Sequence, residues 1–214
     1  MLQPQRARGR PPRSNQLAPE HVLSVAAELF AERGIHAVTV GDIAAGCGVD
    51  RASVYYHFGD RAAVVRSLGD ALFEDLAAAL TALTPVPAVE VRLAAYLLHE
   101  QVVLTPHRRI VATLLTDSVS LSAGLGLQIE RVDAVLEQWL HEGRAGGVFT
   151  VRPHDALGFI NSLAIGALID PPADRRAFAN RLALAFAAIG VAEPAAVIRA
   201  GSRAAQRLTA STRP

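Results

Sequence analysis

The chain has 214 residues, of which 51% are hydrophobic and only 5% aromatic, so its core must consist mainly of Ala, Leu, Val and Ile. Ala and Leu favour helices, and no stretch alternates apolar and polar residues long enough to predict a sheet. The single Cys47 excludes an internal disulfide and a cysteine-based zinc site. The formal net charge of +1 hides a basic start, because residues 1–16 hold four arginines and no acid. We expect an all-α protein without a metal or a cofactor.

The most apolar run of the sequence is too short to span a bilayer. Residues 156–169 form a run of fourteen residues that Asn161 and Ser162 interrupt, which predicts a buried helix. The first sixteen residues are polar and arginine-rich, unlike a secretion signal. We therefore expect a cytoplasmic protein that makes no membrane contact.

Residues 1–16 contain three prolines beside their four arginines and predict a disordered arm. Within this arm, Arg8-Gly9-Arg10-Pro11 resembles the core of an AT-hook, whose arginines enter narrow A·T-rich minor grooves. Arg8 and Arg10 are therefore candidate DNA contacts. The alternative is a solvated tail with no specific role.

Helix signals then divide residues 17–62 into three short helices. The first begins near Pro19 and ends at Gly34. Thr39 opens a very short second helix with a predicted capping box, and Asp50 is placed to cap a third helix over residues 51–57. Two short helices separated by a glycine turn predict a helix-turn-helix DNA-binding domain.

The remaining chain predicts a helical bundle. Asp60 starts a long helix that runs to Leu83 and joins the two parts. Further helices are predicted at about 88–104, 106–116, 124–145, 153–169 and 174–190. We assign residues 63–192 to a C-terminal helical domain and residues 193–214 to a tail with at most a short helix. About nine helices are expected in total.

Residues 22–65 resemble the N-terminal signature of the TetR/AcrR family of regulators. The matching positions are Ala26-Ala27, Phe30, Gly34, Thr39, Asp42-Ile43-Ala44, Gly48-Val49 and Tyr55-Tyr56-His57-Phe58. The resemblance covers about a fifth of the chain and implies a homodimeric transcription regulator. It further implies a repressor that leaves a pseudo-palindromic operator on double-stranded DNA when a small hydrophobic or amphipathic inducer binds to the C-terminal domain.

The same resemblance implies roles for single residues. Arg51, Ala52 and Ser53 fall where the family's recognition helix meets base edges, and an arginine there can pair with guanine. Further positions match phosphate contacts, which set register without reading sequence: Thr39, Tyr55, Tyr56, His57 and Arg61. Gly41 lacks the side chain with which relatives contact a base, so the second helix is expected to add no base reading.

In the C-terminal domain, the resemblance implies a ligand cavity and a dimer interface. The candidate ligand contacts are polar or amphipathic groups on otherwise apolar helix faces, namely Tyr96, Glu100, Trp139 and Asn161. The alternative is that Tyr96 and Trp139 are ordinary core residues. Two ladders of small residues are candidates for the dimer interface, or alternatively for packing within the chain: Gly158, Ser162 and Gly166, and Ala179, Ala183 and Ala187.

The sequence carries no signature of an enzyme. It has no glycine-rich phosphate loop, no Gly-x-Ser-x-Gly elbow and no His-Glu-x-x-His pair. We expect a DNA-binding regulator that is not an enzyme. The remaining alternative is an architectural DNA-binding protein, in which the C-terminal bundle serves only for dimerisation and no ligand is bound.

Overall fold

The computed structural model describes residues 18–108, 110–111 and 126–211, of which 210 and 211 are described by their backbone only. These residues form nine α-helices and no strand. The bounds are α1 Pro19–Arg33, α2 Val40–Gly46, α3 Arg51–Phe58, α4 Arg61–Leu83, α5 Val89–Leu104, α6 Gly126–Ala145, α7 Pro153–Ile169, α8 Arg175–Ala188 and α9 Pro194–Ser211. The predicted all-α class is confirmed. The predicted arm over 1–16, and most of the helix predicted over 106–116, lie outside the described residues.

Side-chain caps fix where the short N-terminal helices begin. The hydroxyl of Thr39 accepts from the backbone N–H of Asp42, whose carboxylate in turn accepts from the Thr39 N–H at 2.8 Å. Asp50 accepts from the N–H of Ser53 at 2.7 Å and so starts α3. Both predicted caps are confirmed, and they satisfy N–H groups that have no partner within a helix.

A small core holds α1 to α4 together at the N-terminal end. Its centre includes Val22, Ala26, Ile43 and Val64, each with no exposed surface. Val54 of α3 is also buried there, while Phe58 is only half-buried. The recognition helix is therefore fixed to its support through one face and leaves the other face free.

One residue of this core comes from far along the chain. Ile110, which follows α5, is only 2% exposed and belongs to the same buried cluster as Val64 and Val65 of α4. Ile129 of α6 packs against that cluster as well. The C-terminal part of the chain thus supplies side chains to the core of the N-terminal part.

Helix α4 takes part in both cores of the molecule. Its first half buries Val64, Val65 and Leu68 in the N-terminal cluster, and its second half buries Leu76 and Leu80 in the C-terminal one. A tilt of this helix would therefore move side chains in both. The predicted linking helix is present from Arg61 to Leu83.

The C-terminal bundle is built around α5, whose middle residues from Leu93 to Leu97 are at most 1% exposed. Helix α9 packs closely along it: a Cβ at Gly201 would lie 2.7 Å from Ala94 Cβ. The expectation of a tail with at most a short helix is wrong here, since α9 has 18 residues. Its buried face consists largely of Gly and Ala, which carry little hydrophobic signal in a sequence. None of the nine helices described above is both long and apolar enough to cross a membrane.

Candidate DNA interface and C-terminal sites

Helix α3 turns a set of DNA-compatible side chains toward solvent. Arg51, Ala52, Tyr55 and Tyr56 are exposed, and Tyr56 retains 87% of its accessible surface. Val54, which lies between them in sequence, is 1% exposed and faces the core. A ring exposed to this degree gains little from folding, and together with Arg51 and Tyr55 it forms a face suited to contact another molecule.

Arg51 is the cation of this face that is free to act. Four arginines lie between residues 18 and 83, and three of them bind within the chain. Arg33 pairs with Asp42 at 3.4 Å, Arg66 lies 4.0 Å from Asp60, and Arg61 donates to the carbonyl of Ile35. Among the described residues, Arg51 has no such partner, so all its guanidinium donors remain available.

Two predicted DNA contacts already serve as parts of helix caps. The Thr39 hydroxyl is hydrogen-bonded to the Asp42 carboxylate, and the Ser53 hydroxyl donates to Asp50 at 2.8 Å. These hydrogen bonds, with those from the same residues' N–H groups, hold the pKa of each carboxyl below its usual value. Each hydroxyl proton is thus engaged, so donation to a DNA phosphate would require that hydrogen bond to break. The DNA contacts of Thr39 and Ser53 stay predictions.

The other predicted phosphate contacts differ in their accessibility. Tyr55 is 49% exposed, and the ring of Tyr56 meets that of His57 edge-on with centroids 5.3 Å apart. Arg61 is partly buried, and its bond to the carbonyl of Ile35 ties the start of α4 to the short 3-10 helix Ile35–Ala37. Part of its guanidinium therefore has a structural role that the sequence pattern did not predict. Arg8 and Arg10 lie outside the described residues.

In the C-terminal domain, three of the four predicted ligand contacts lie around one group of polar side chains. The Tyr96 hydroxyl lies 3.5 Å from Glu100 Oε1, and Asn161 Nδ2 donates to Asp133 Oδ1 at 3.0 Å. We call these four residues, from α5, α6 and α7, the polar cluster. Sequence reasoning missed Asp133, because its charge and that of Glu137 one turn later are typical of a solvated helix face.

The polar cluster combines two carboxyl groups with little solvent. Burial raises the pKa of Glu100 to about 7, with the charge of Asp133 adding to this effect. Burial also raises the pKa of Asp133, against the hydrogen bond from Asn161 that lowers it. One oxygen of Glu100, Oε2, is sealed from solvent and has no hydrogen-bond partner among the described residues. An unpaired buried acceptor is costly, which makes this a place where an added donor would bind favourably.

Trp139 lies in a different environment. It is 3% exposed, and the guanidinium of Arg92 stands over its ring at 5.5 Å from the ring centroid. Arg92, itself 6% exposed, forms an ion pair with Glu142 one turn along α6. The indole ring of Trp139 thus packs against the Arg92 cation, whose charge Glu142 balances. Trp139, like Tyr96, belongs to the C-terminal core, and the ligand contacts of both stay predictions.

A groove with a volume of about 620 Å³ lies between α5, the start of α8 and α9. Its lining includes Leu98, Gln101, Val102, Phe178, Ala205 and Gln206. None of the four predicted ligand contacts lines it. Sequence patterns do not predict this groove, because its walls come from α5 and from the consecutive helices α8 and α9 much later in the chain.

The small-residue ladder on α7 faces solvent. Gly158, Ser162 and Gly166 are exposed or half-buried, and a Cβ at either glycine would meet nothing within 4 Å. Packing within the described part of the chain therefore does not explain this ladder. On α8, Ala187 is exposed, whereas Ala179 and Ala183 are half-buried against the C-terminal core. Those two alanines thus fit the alternative of packing within the chain.

Large apolar side chains accompany the α7 ladder. Phe159, Ile165 and Ile169 of α7 are 46%, 38% and 66% exposed, and Leu184 of α8 is 73% exposed. We call these four residues the open apolar face. Exposed apolar residues that cluster on adjacent helices mark an interaction surface rather than a solvated one.

A three-helix unit with a capped, outward-facing recognition helix defines a helix-turn-helix protein. The sequence model of the family described as "Bacterial regulatory proteins, tetR family" matches residues 22–68. The N-terminal part of the chain therefore matches the tetR family of bacterial regulatory proteins. The matched family consists of regulators, in agreement with the expectation that the chain is not an enzyme.

Curated relatives are similar to this chain over a short stretch. The transcriptional repressor KstR2 of Rhodococcus jostii (strain RHA1) is 42% identical over 55 residues, which cover 26% of this chain and 27% of the relative. The transcriptional regulator AcrR of Shigella flexneri is 40% identical over 42 residues, 20% of each chain. The alignments thus span about a quarter of these relatives or less.

Solved structures share the fold over most of the chain. The ketosteroid transcriptional regulator KstR2 of Mycobacterium tuberculosis superposes with a TM-score of 0.69 at 21% identity, covering 80% of this chain and 94% of that one. AmtR of Mycobacterium smegmatis gives a TM-score of 0.68 at 22% identity and covers 96% and 100%. At these identities the likeness concerns the fold alone.

Proposed function

We propose that this chain is a dimeric transcriptional repressor that binds a pseudo-palindromic operator through α3. The observation that carries the proposal is the exposed face of α3, where Arg51 stands without a partner among the described residues, beside Ala52, Tyr55 and Tyr56. A helix of this width fits the major groove, where arginine recognises guanine and a methyl group recognises thymine. The family match over the same residues supports this assignment.

The dimer forms through the open apolar face together with the small residues of α7. Gly158 and Gly166 let two helices approach closely, while Phe159 and Leu184 supply apolar area. Two copies related by a twofold axis would then pack α7 and α8 as four helices. A dimer of this kind presents two α3 helices, which is why the operator is expected to be palindromic.

Repression is relieved when a small inducer with an apolar body binds at the polar cluster. Glu100 Oε2 offers an unused acceptor there, and Tyr96 and Asn161 supply further polar atoms. Binding releases DNA only if the inducer prefers the arrangement in which the two α3 helices no longer match the operator spacing. Helix α4 is suited to transmit such a change, because it is buried in both cores.

Selection of binding sites from a random pool of double-stranded DNA tests the DNA-binding part. The wild-type protein is expected to enrich a sequence with twofold symmetry. Arg51→Ala should weaken binding to that sequence by about 1–3 kcal/mol and relax one base pair in each half-site. Tyr55→Phe is the matched control on the same face, and it should weaken operator and random DNA alike, because a phosphate contact carries no sequence information.

Three results would contradict the proposal or a part of it. If the wild-type protein enriches no sequence, the chain is not an operator-binding protein. If Arg51→Ala weakens operator and random DNA equally, α3 does not read bases through this residue. A protein that binds a palindrome but whose affinity no small molecule changes would match the architectural alternative.

A further inference from the structure

Gly41 of α2 and Arg51 of α3 occupy adjoining space on the exposed side of the helix-turn-helix. A Cβ built on Gly41 would lie 2.6 Å from both Nε and one terminal nitrogen of Arg51, and 2.8 Å from the central carbon of its guanidinium. No side-chain carbon tolerates such distances. The guanidinium therefore rests in the volume that any other residue at position 41 would fill.

The backbone of α2 does not need a glycine at this position. The φ angle of Gly41 is not positive, so alanine could adopt its conformation. It lies in the first turn of α2, whose helical conformation alanine adopts readily. Neither local conformation nor helix stability explains this glycine, and the contact with Arg51 is the feature that remains.

We propose that Gly41 determines operator specificity by leaving room for the Arg51 guanidinium, which fixes the direction from which Arg51 approaches its base pair. This inference rests on the proposed function, since it requires Arg51 to read DNA. The second helix then affects sequence reading through an absent side chain, although it supplies no contact of its own. A bidentate bond to guanine depends on the orientation of the guanidinium plane, so its resting direction affects which base is favoured.

The substitution Gly41→Ala tests whether the space at position 41 determines the orientation of Arg51. The atoms that a new methyl group meets are the far end of a flexible side chain, which can move away without disturbing the backbone. The variant should therefore fold, and its thermal transition should be no lower than that of the wild type because alanine favours the helix. Only the orientation of Arg51 changes.

The experiment compares sequence preferences of five proteins selected on the same random double-stranded DNA pool. These are the wild type, Arg51→Ala, Gly41→Ala, the double variant, and Ala45→Ser, which adds one atom at an exposed position of the same helix. Arg51→Ala identifies the base pair that Arg51 reads. At this base pair, Gly41→Ala should change the sequence preference by about tenfold. At all other base pairs, its preference should equal that of the wild type. The double variant should match Arg51→Ala, because without Arg51 the space at position 41 has no occupant to displace. Ala45→Ser should behave as the wild type.

The outcomes separate this inference from the proposed function. If the wild type enriches no sequence, both are overturned. If it enriches a palindrome and Arg51→Ala relaxes it, but Gly41→Ala leaves every base pair as in the wild type, only the role of Gly41 is overturned. The role is also overturned if Gly41→Ala shifts preference equally with and without Arg51, because the new methyl group would then be contacting DNA itself.

Discussion

The Tyr96 hydroxyl lies 3.5 Å from Oε1 of Glu100, while Oε2 of the same carboxyl group has neither solvent nor a hydrogen-bond partner within the described chain. Burial therefore penalises the ionised form and raises the pKa of Glu100 from its ordinary 4.5 to about 7. In the unfolded chain the carboxyl loses its proton near pH 4.5. Between these values the folded chain binds more protons than the unfolded one, so the free energy of unfolding must fall as pH rises.

We expect the wild-type protein to lose up to about 3 kcal/mol of stability from this group between about pH 5 and pH 8. Asp133 has a raised pKa and acts in the same direction, whereas burial lowers the pKa of His99, which costs stability on the acid side. Urea unfolding at a fixed protein concentration over this pH range measures the combined effect of these three groups on the free energy of unfolding. Glu100→Gln keeps the shape and removes the titration, so its stability should depend less on pH. Parallel curves for the two proteins would contradict the assignment.

A charge on the open apolar face should break the proposed dimer. Leu184→Glu places a carboxylate at a position that is 73% exposed in the single chain and enclosed in the dimer. Burying two such charges should weaken association by about 3 kcal/mol or more. Light scattering after size-exclusion chromatography should then report a monomer, with much weaker operator binding. Leu127→Glu is the matched control, because Leu127 is 62% exposed on α6, a helix that contributes no residue to the open apolar face; it should remain dimeric.

Removal of residues 1–16 should weaken DNA binding while the dimer persists. The segment holds four arginines, and for every phosphate that its arginines neutralise, the deletion should make the plot of log K against log salt shallower by about 0.9. Arg8→Ala with Arg10→Ala in the full chain tests the AT-hook alone. That variant should bind less tightly to operators flanked by A·T sequence, with a smaller effect on those flanked by G·C sequence. An unchanged salt slope after the deletion would exclude an electrostatic role for the segment.

The contact between α5 and α9 should not tolerate even one added carbon. A Cβ at Gly201 would lie 2.7 Å from Ala94 Cβ and 3.0 Å from the backbone nitrogen of Ala95. Because both neighbours are rigid, Gly201→Ala should lower the free energy of unfolding by about 1–3 kcal/mol. Gly146→Ala is the control, since its Cβ would come no closer than 3.5 Å to the Glu142 carbonyl. Equal stability of the two variants in urea would show that α5 and α9 separate readily.

Local signals were strong enough to predict the N-terminal domain. Thr39 and Asp50 begin their helices as expected, because a cap depends on residues only three positions apart. The polar cluster was predicted in part, since Glu100 and Asn161 stand out on apolar faces but Asp133 does not. What brings Asp133 to them is the packing of three helices, which no sequence spacing specifies. The relation of Gly41 to Arg51 was hidden for a similar reason, because it consists of a space shared by two helices.

Ile110 gives the DNA-binding unit a boundary that differs from its boundary in sequence. Its side chain fills part of the core formed by α1 to α4, although it lies far beyond residue 68, the last position that the family model matches. An excised fragment ending near residue 68 would carry a cavity where this side chain belongs, and should be less stable than the same residues in the whole chain. Exchange of regulatory domains between relatives would meet the same constraint. In a working chimera, the new C-terminal bundle must supply a side chain that fills the space of Ile110 in the core of α1 to α4.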